Sequence, residues 1–93
     1  MIMVKKKKLQ IGSGKDIKEG YVNLDSVKLE GVDVVHNLDK YPWPFKDNEF
    51  EEVIAFMVLE HLKDWTRAME EIWRISKNQA IVKIKVPFFP SMY

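Results

Sequence analysis

The sequence contains no cysteine, which excludes disulfide bonds and metal sites built on thiolates. It also has no apolar run that approaches the roughly 20 residues needed for a membrane-spanning helix. The positively charged N-terminus is not followed by the apolar segment of a signal peptide. We therefore expect a soluble cytoplasmic protein in a reducing compartment, with no membrane partner.

The chain has little net charge of either sign, because 15 Lys and Arg face 14 Asp and Glu, giving +1. This balance argues against a strongly polyanionic partner. The lysines at positions 5–8 are the local exception, and they suit either a nucleic-acid patch or a solvated segment before the first strand. We favour the second interpretation and expect no nucleic-acid partner.

The 93 residues, 46% of them hydrophobic, suffice for one small globular domain spanning residues 1–93. The apolar pattern predicts five strands, at 8–11, 21–24, 32–36, 50–57 and 80–86. The apolar run at 53–57 is nearly continuous, which is typical of a strand buried on both faces. In the last strand apolar residues alternate with Lys83 and Lys85, so this strand should have a wet face or lie near an edge.

One helix is predicted, over residues 65–76, with Asp64 as its N-cap and a turn at 77–79 after it. Helical spacing predicts one apolar face, formed by Trp65, Ala68, Met69, Ile72 and Ile75. The same spacing places Arg67, Glu70, Glu71 and Arg74 away from that face. Glu70 and Arg74 are expected to form an i,i+4 ion pair.

Two short motifs follow the first two strands. Gly12-Ser13-Gly14 ends the first strand, and Asp25 ends the second. Glycines allow a ligand to approach the backbone, and an acid at the next strand tip can accept both hydroxyls of a ribose. The third glycine of the dinucleotide fingerprint is missing, so these residues alone suit a cofactor site or an ordinary loop.

Taken together, four segments resemble the first half of a class I S-adenosylmethionine-dependent methyltransferase of the type 11-like kind. These segments are 9–14, 20–25, 33–38 together with 42–53, and 58–62 together with 70–75. The resemblance implies an α/β fold, a Rossmann-like and mostly parallel five-stranded sheet of order 3-2-1-4-5 with few and short helices. It covers only the N-terminal, cofactor-binding part of that fold, so we expect a minimal or truncated enzyme whose acceptor-binding C-terminal part is absent.

The resemblance also implies that S-adenosyl-L-methionine is the cofactor, and it assigns eight residues to its binding. They are Gly12, Ser13 and Gly14 at the methionine part, Asp25 at the ribose, Asn37 and Leu38 beside the adenine, and Phe56 and Met57 near the sulfonium. Two positions depart from the family. Gln10 stands where many relatives have an acid, and Asn37 where they commonly have Asp.

No catalytic residue is assigned with the cofactor residues. The sequence shows no metal-ligand spacing and no Ser-His-Asp arrangement. His61 is the candidate general base, although it could instead orient the turn at 60–62. Methyl transfer to a nucleophilic acceptor depends mostly on alignment, so a missing catalytic motif does not argue against the function. The acceptor itself is not identified.

Several aromatic residues have two interpretations. Trp43, Phe45, Phe88 and Phe89 could line an acceptor cleft or fill the core, and Trp65 and Trp73 on the helix belong to the core or to an interface.

The links at 15–20 and 26–32 are shorter than the dozen or more residues of a usual parallel crossover, so antiparallel pairing of the first three strands is an open alternative. Short links would also leave one sheet face nearly uncovered and the fifth strand an apolar edge, which predicts a homodimer.

Two other functions remain open. The first is a non-catalytic module of methyltransferase fold that acts in assembly or regulation. The second is a nicotinamide-binding Rossmann domain, which the absence of a long first helix to receive a pyrophosphate disfavours.

Overall fold

The computed structural model describes residues 7–87 of the chain. Its elements, in chain order, are β1 (Lys8–Ile11), β2 (Val22–Asp25), β3 (Val34–Val35), β4 (Phe50–Phe56), a 3-10 turn (Leu59–His61), α1 (Trp65–Ile75) and β5 (Ser76–Lys85). None of the helices in this part of the chain is long and apolar enough to cross a membrane.

The five strands form one parallel sheet of order β3-β2-β1-β4-β5. The predicted Rossmann-like α/β class and strand order are therefore confirmed, and the antiparallel alternative for the first three strands is wrong. In register, Leu9 lies between Val22 and Val53, and Ile11 lies between Leu24 and Ala55.

Two buried amides explain how β1 and β2 become parallel neighbours across a link without a helix. Gln10 and Asn23 are paired in register, and the Gln10 side-chain nitrogen donates to Asn23 Oδ1 (2.7 Å) and to the Asp16 carbonyl (2.8 Å). Asn23 Oδ1 also accepts from the Lys18 N–H (3.0 Å), and its amide nitrogen donates to the Lys18 carbonyl (3.1 Å). The link is therefore hydrogen-bonded onto the sheet face rather than packed there as a helix.

The hydrophobic core lies on the opposite face, between the sheet and α1. Its central members are Leu9, Ile11, Leu24, Val53, Ala55, Ala68, Ile72 and Ile75. The helix begins where Asp64 caps it, because the Asp64 carboxylate accepts from the Arg67 N–H (3.0 Å). Trp43 closes one end of this core, and its indole N–H donates to the Leu38 carbonyl (3.1 Å).

The helix departs from its predicted apolar face at Trp65, and its second tryptophan, Trp73, is exposed as well. Trp65 is 62% exposed and Trp73 is 83% exposed, so of the two interpretations, core or interface, the core is excluded for both in the described part of the chain. Glu71, predicted to point away from the core, is buried instead. Arg74 pairs with this Glu71 at i,i+3, in place of the predicted pair with Glu70.

The last two strands differ from the prediction in how far they are buried and where β5 begins. Val53, Ile54 and Ala55 are buried as predicted, but Phe56 at the end of β4 is exposed. β5 starts directly after α1, and its register against β4 jumps from Phe50↔Ser76 to Glu52↔Ile81. The predicted turn at 77–79 lies inside this bulge, and regular pairing begins close to the predicted start of the strand.

The observed bounds of the first two strands agree more closely with the predicted ones. β1 has the predicted bounds and β2 is displaced by one residue, whereas β3 is reduced to two residues. Phe88 and Phe89, assigned to a cleft or the core, lie outside the described residues.

Candidate functional site

The carboxyl ends of the parallel strands meet at one edge of the sheet. β1 ends at Ile11, β2 at Asp25 and β4 at Phe56. The chain order reverses between β1 and β4, which lie side by side. Ligands of open α/β sheets bind outside the carboxyl ends at such a reversal. This edge is therefore where a site is expected from topology alone.

Gly12 brings the loop after β1 against the segment after β4. Its φ is +70°, and a Cβ built there would lie 2.7 Å from Val58 Cγ2. Both the backbone conformation and this close approach require glycine. The N–H groups of Gly12 and Ser13 both donate to the Leu24 carbonyl (2.8 and 3.0 Å), which fixes the loop to β2.

Gly14 has different surroundings from Gly12. Its φ is +52°, yet apart from its neighbours in the chain no heavy atom of residues 7–87 lies within 4 Å of the position that a Cβ would occupy. Ser13, between the two glycines, is buried. Gly12 is therefore held close to the segment after β4, whereas Gly14 faces open space on the side of β2.

Asp25 lies in direct contact with this loop. Its Oδ1 accepts from the Gly14 N–H (3.0 Å), and its Oδ2 accepts from the Val27 N–H (3.0 Å). A carboxylate has about four acceptor positions, so each oxygen keeps a lone pair beyond these two bonds. Asp25 is thus both a turn-forming acid and a half-buried acceptor beside the open glycine.

The segment after β3 also reaches this edge, because the His36 N–H donates to the Asp25 carbonyl (3.0 Å). Asn37 is exposed, and its Oδ1 accepts from the Asp39 N–H (2.9 Å) in a local turn. Leu38 packs in the hydrophobic core. Of the two residues assigned to the adenine, only Asn37 therefore presents its side chain to solvent.

Phe56 and Met57 form an exposed apolar pair next to the glycine loop. Ile11 and Ala55 are paired in register, so Phe56, the last residue of β4, lies at the level where Gly12 follows β1. Met57 adopts a φ of +58°, which costs a residue with a Cβ about 1–2 kcal/mol. Its N–H donates to the Lys85 carbonyl (2.6 Å), which holds it at the end of β4.

His61 lies on the 3-10 turn that follows β4. Its side chain is exposed, and its Nε2 is 3.6 Å from Glu60 Oε2. Glu60 was not singled out from the sequence. Its Oε1 is buried without a hydrogen-bond partner in residues 7–87. In the sequence, its position next to His61 is the feature that could have indicated Glu60 as a candidate site residue.

A second polar cluster, around Arg74, holds the loop before β4. The Arg74 guanidinium donates to Glu71 (2.6 and 2.9 Å), to the Phe45 carbonyl (2.9 Å) and to Asp47 (2.8 Å). Glu71 also accepts from the Trp43 N–H (2.7 Å). The hydrogen bonds from Arg74 and then from Trp43 hold the pKa of Glu71 below its ordinary value, although burial opposes them.

The surroundings of Trp43 and Phe45 favour the core interpretation over the acceptor cleft. Trp43 is buried, and the ring of Phe45 packs edge-on against Phe50 with 5.0 Å between centroids. In residues 7–87 no group of His, Asp and Glu is arranged to hold a metal ion.

The family comparison covers both the sheet and the site at its carboxyl edge. A family model described as a methyltransferase domain matches residues 9–84, which run from β1 into β5. A search of curated proteins found no match to this sequence. The family match includes the glycine loop, Asp25 and the segment after β4. The chain therefore belongs to the methyltransferase domain family, within the class I S-adenosylmethionine-dependent methyltransferases.

Proposed function

We propose that this chain binds S-adenosylmethionine at the carboxyl edge of the sheet and acts as a methyltransferase domain. The observation that carries the proposal is the contact between Gly14 and Asp25. It joins a glycine next to open space with a carboxylate that retains acceptor capacity. Membership of a family that generally binds this cofactor supports it.

The residues present fit the cofactor at four points. The open space beside Gly14 leaves room for the methionine part, and the free lone pairs of Asp25 can accept the two ribose hydroxyls. Phe56 and Met57 supply apolar surface near the position expected for the sulfonium. Asn37 can meet the adenine through its amide, and we give Leu38 a supporting role beneath that loop.

S-adenosylmethionine, when bound, supplies a methyl group on a sulfonium. In this proposal the chain binds and orients the cofactor and excludes water around it. Alignment with the acceptor provides most of the rate enhancement. His61 is exposed at the same edge, and we propose it as the group that takes a proton from the acceptor. The lack of cysteine supports a cytoplasmic location.

Calorimetric titration with S-adenosylmethionine and with S-adenosylhomocysteine tests the binding. We expect both to bind, and we expect Asp25→Asn to weaken them roughly 10- to 100-fold, because charged hydrogen bonds contribute about 1.5–3 kcal/mol. Asp33→Asn is the matched control. Asp33 also accepts a backbone N–H, from Asn23 (2.8 Å), but it precedes β3 and lies away from the carboxyl edge. A folded protein that binds neither ligand would overturn the proposal.

A non-catalytic module of the same fold is the second candidate. It is favoured by the fact that Asp25 and Asn37 already accept backbone N–H groups of their own loops. The same titration separates the two candidates, because the non-catalytic module binds neither ligand. Its cooperative melting transition should show that it is folded, and neither ligand should raise its melting temperature.

A further inference from the structure

We propose that β5 is a dimer edge, at which two copies of this chain pair antiparallel through their β5 strands. Within residues 7–87, β5 hydrogen-bonds to β4 alone and ends the sheet. The Met57 N–H donates to the Lys85 carbonyl, so Lys85 directs its backbone towards β4. Because alternate residues of a parallel strand face the same neighbour, Val82 and Ile84 direct their N–H and C=O groups to the free side.

The free side of β5 continues into an apolar surface, here named the edge patch: Trp73, Ala80, Val82, Ile84 and Val86. Val82 and Ile84 are in register with Val53 and Ala55, so they lie on the sheet face that carries α1. They remain 40% and 38% exposed, and Trp73 of α1 is 83% exposed. Trp73, Ala80 and Val82 line one depression of about 340 Å³. An unpaired strand edge beside such a depression suits another strand with apolar side chains.

The area of the edge patch favours a second copy as the occupant. Trp73 offers roughly 200 Å² and the exposed aliphatic residues roughly 50 Å² each, so about 400 Å² of apolar surface is available per copy. A stable interface buries about 800 Å² per partner, of which rather more than half is apolar. In a symmetric dimer each copy contributes this patch, which supplies most of the roughly 450 Å² of apolar surface that each partner needs. The paired backbones and the lysine side chains of β5 supply the polar remainder.

The lysines of β5 select the register. A two-fold axis at Lys83 would place Lys83 opposite Lys83 of the second copy, and an axis at Ile84 would place Lys83 opposite Lys85 of the second copy. Repulsion between the like charges disfavours both registers. An axis at Val82 pairs Val82 with itself and sets Ile84 of the second copy opposite Ala80. The large side chain then faces the small one that lines the depression, and each Lys83 stem covers an exposed Ile81.

The first test is the mass in solution by light scattering at micromolar concentration. We expect twice the chain mass of 11.0 kDa. Trp73→Ala should weaken the dimer roughly 30-fold or more, because truncating a central tryptophan removes about 2 kcal/mol or more. Trp65→Ala, on the same helix but outside the edge patch, is the matched control and should leave the mass unchanged. Circular dichroism checks that both variants remain folded.

The second test uses the absence of cysteine. With the axis at Val82, the two Cα atoms of a Val82→Cys dimer lie about 5.5 Å apart, within disulfide range. Mild oxidation should therefore cross-link Val82→Cys efficiently. Lys83→Cys should cross-link poorly, as should Val27→Cys, which is exposed near β2.

Three outcomes overturn the proposal. They are a wild-type mass of one chain, a dimer that Trp73→Ala leaves intact, and efficient cross-linking of Lys83→Cys in place of Val82→Cys. A monomer that gains mass only when an acidic peptide is added would likewise assign the edge to a different partner. None of these outcomes depends on whether S-adenosylmethionine binds.

Discussion

Replacing Arg74 by alanine should strongly destabilise this fold, because Arg74 joins α1 to the loop that precedes β4. Its guanidinium reaches two carboxylates and the carbonyls of Trp43 and Phe45. Without it, the Glu71 side chain, which is 11% exposed, keeps only the N–H of Trp43 as a donor among residues 7–87. Breaking a buried ion pair costs about 3–5 kcal/mol. Since Arg74 is itself 25% exposed, we expect the lower end, about 3 kcal/mol.

Urea unfolding at neutral pH, followed by circular dichroism, measures this change. A loss of about 3 kcal/mol is a large part of the roughly 5–15 kcal/mol that stabilises a domain, and it should lower the melting temperature by roughly 12–24 °C. Arg67→Ala is the matched control. Arg67 lies on the same helix, but its guanidinium is exposed and packs over the Tyr41 ring at 4.6 Å, so we expect less than about 1 kcal/mol.

A double-mutant cycle identifies the cause of the destabilisation. If Glu71 left without a counter-ion is what destabilises Arg74→Ala, then adding Glu71→Gln should recover at least about 1 kcal/mol relative to the sum of the single variants. The reasoning fails if Arg74→Ala unfolds within about 1 kcal/mol of the wild type, or if the two substitutions are additive. Packing of Trp43 and Phe45 would then hold the loop without the ion pair.

Three further predictions concern pH and the glycine loop. The pKa of Glu71 is lower in the folded protein than its ordinary 4.5, so the unfolded chain takes up this proton first and stability should fall as the pH drops below 4.5. Urea midpoints from about pH 6 to about pH 3 should fall less steeply for Glu71→Gln. Gly14→Ala should lose cofactor binding in calorimetry. Gly20→Ala is the control, because Gly20 also has a positive φ and no neighbour within 4 Å among the described residues. Both variants should lower the free energy of unfolding by about 1–2 kcal/mol, but Gly20→Ala should keep cofactor binding. Gly12→Ala should lose about 3 kcal/mol in urea unfolding, and Val58→Ala in the same chain should recover part of it by removing the clash at 2.7 Å.

Local pattern was sufficient to predict most of the sheet. The apolar runs located β1 and the centre of β4, and the resemblance supplied the parallel order. The bulge of β5 could not be read from the sequence, because it depends on how residues 76–81 pair with distant Phe50 and Glu52. β3 was predicted too long, because only Val34 and Val35 pair with β2, opposite Leu24 and Asp25.

Side-chain surroundings were less predictable than the strands. A glutamate at a helical position is ordinarily exposed, but Glu71 is buried because Trp43 and Arg74 satisfy its carboxylate. Trp73 shows the converse, since it is apolar and yet 83% exposed. At the site, the sequence predicted Asp25 as a ligand or a turn former. It could not show that one carboxylate holds the Gly14 and Val27 N–H groups at once.

The contact between Gly12 and Val58 has a mechanical consequence for the whole edge. Val58 fills the space where a Cβ of Gly12 would stand, and its carbonyl accepts the His61 N–H (3.0 Å). The loop after β1 cannot shift towards β4 without displacing the turn that carries His61. A displacement of this loop towards β4 therefore also moves the turn that carries the imidazole, so the two segments shift as one unit.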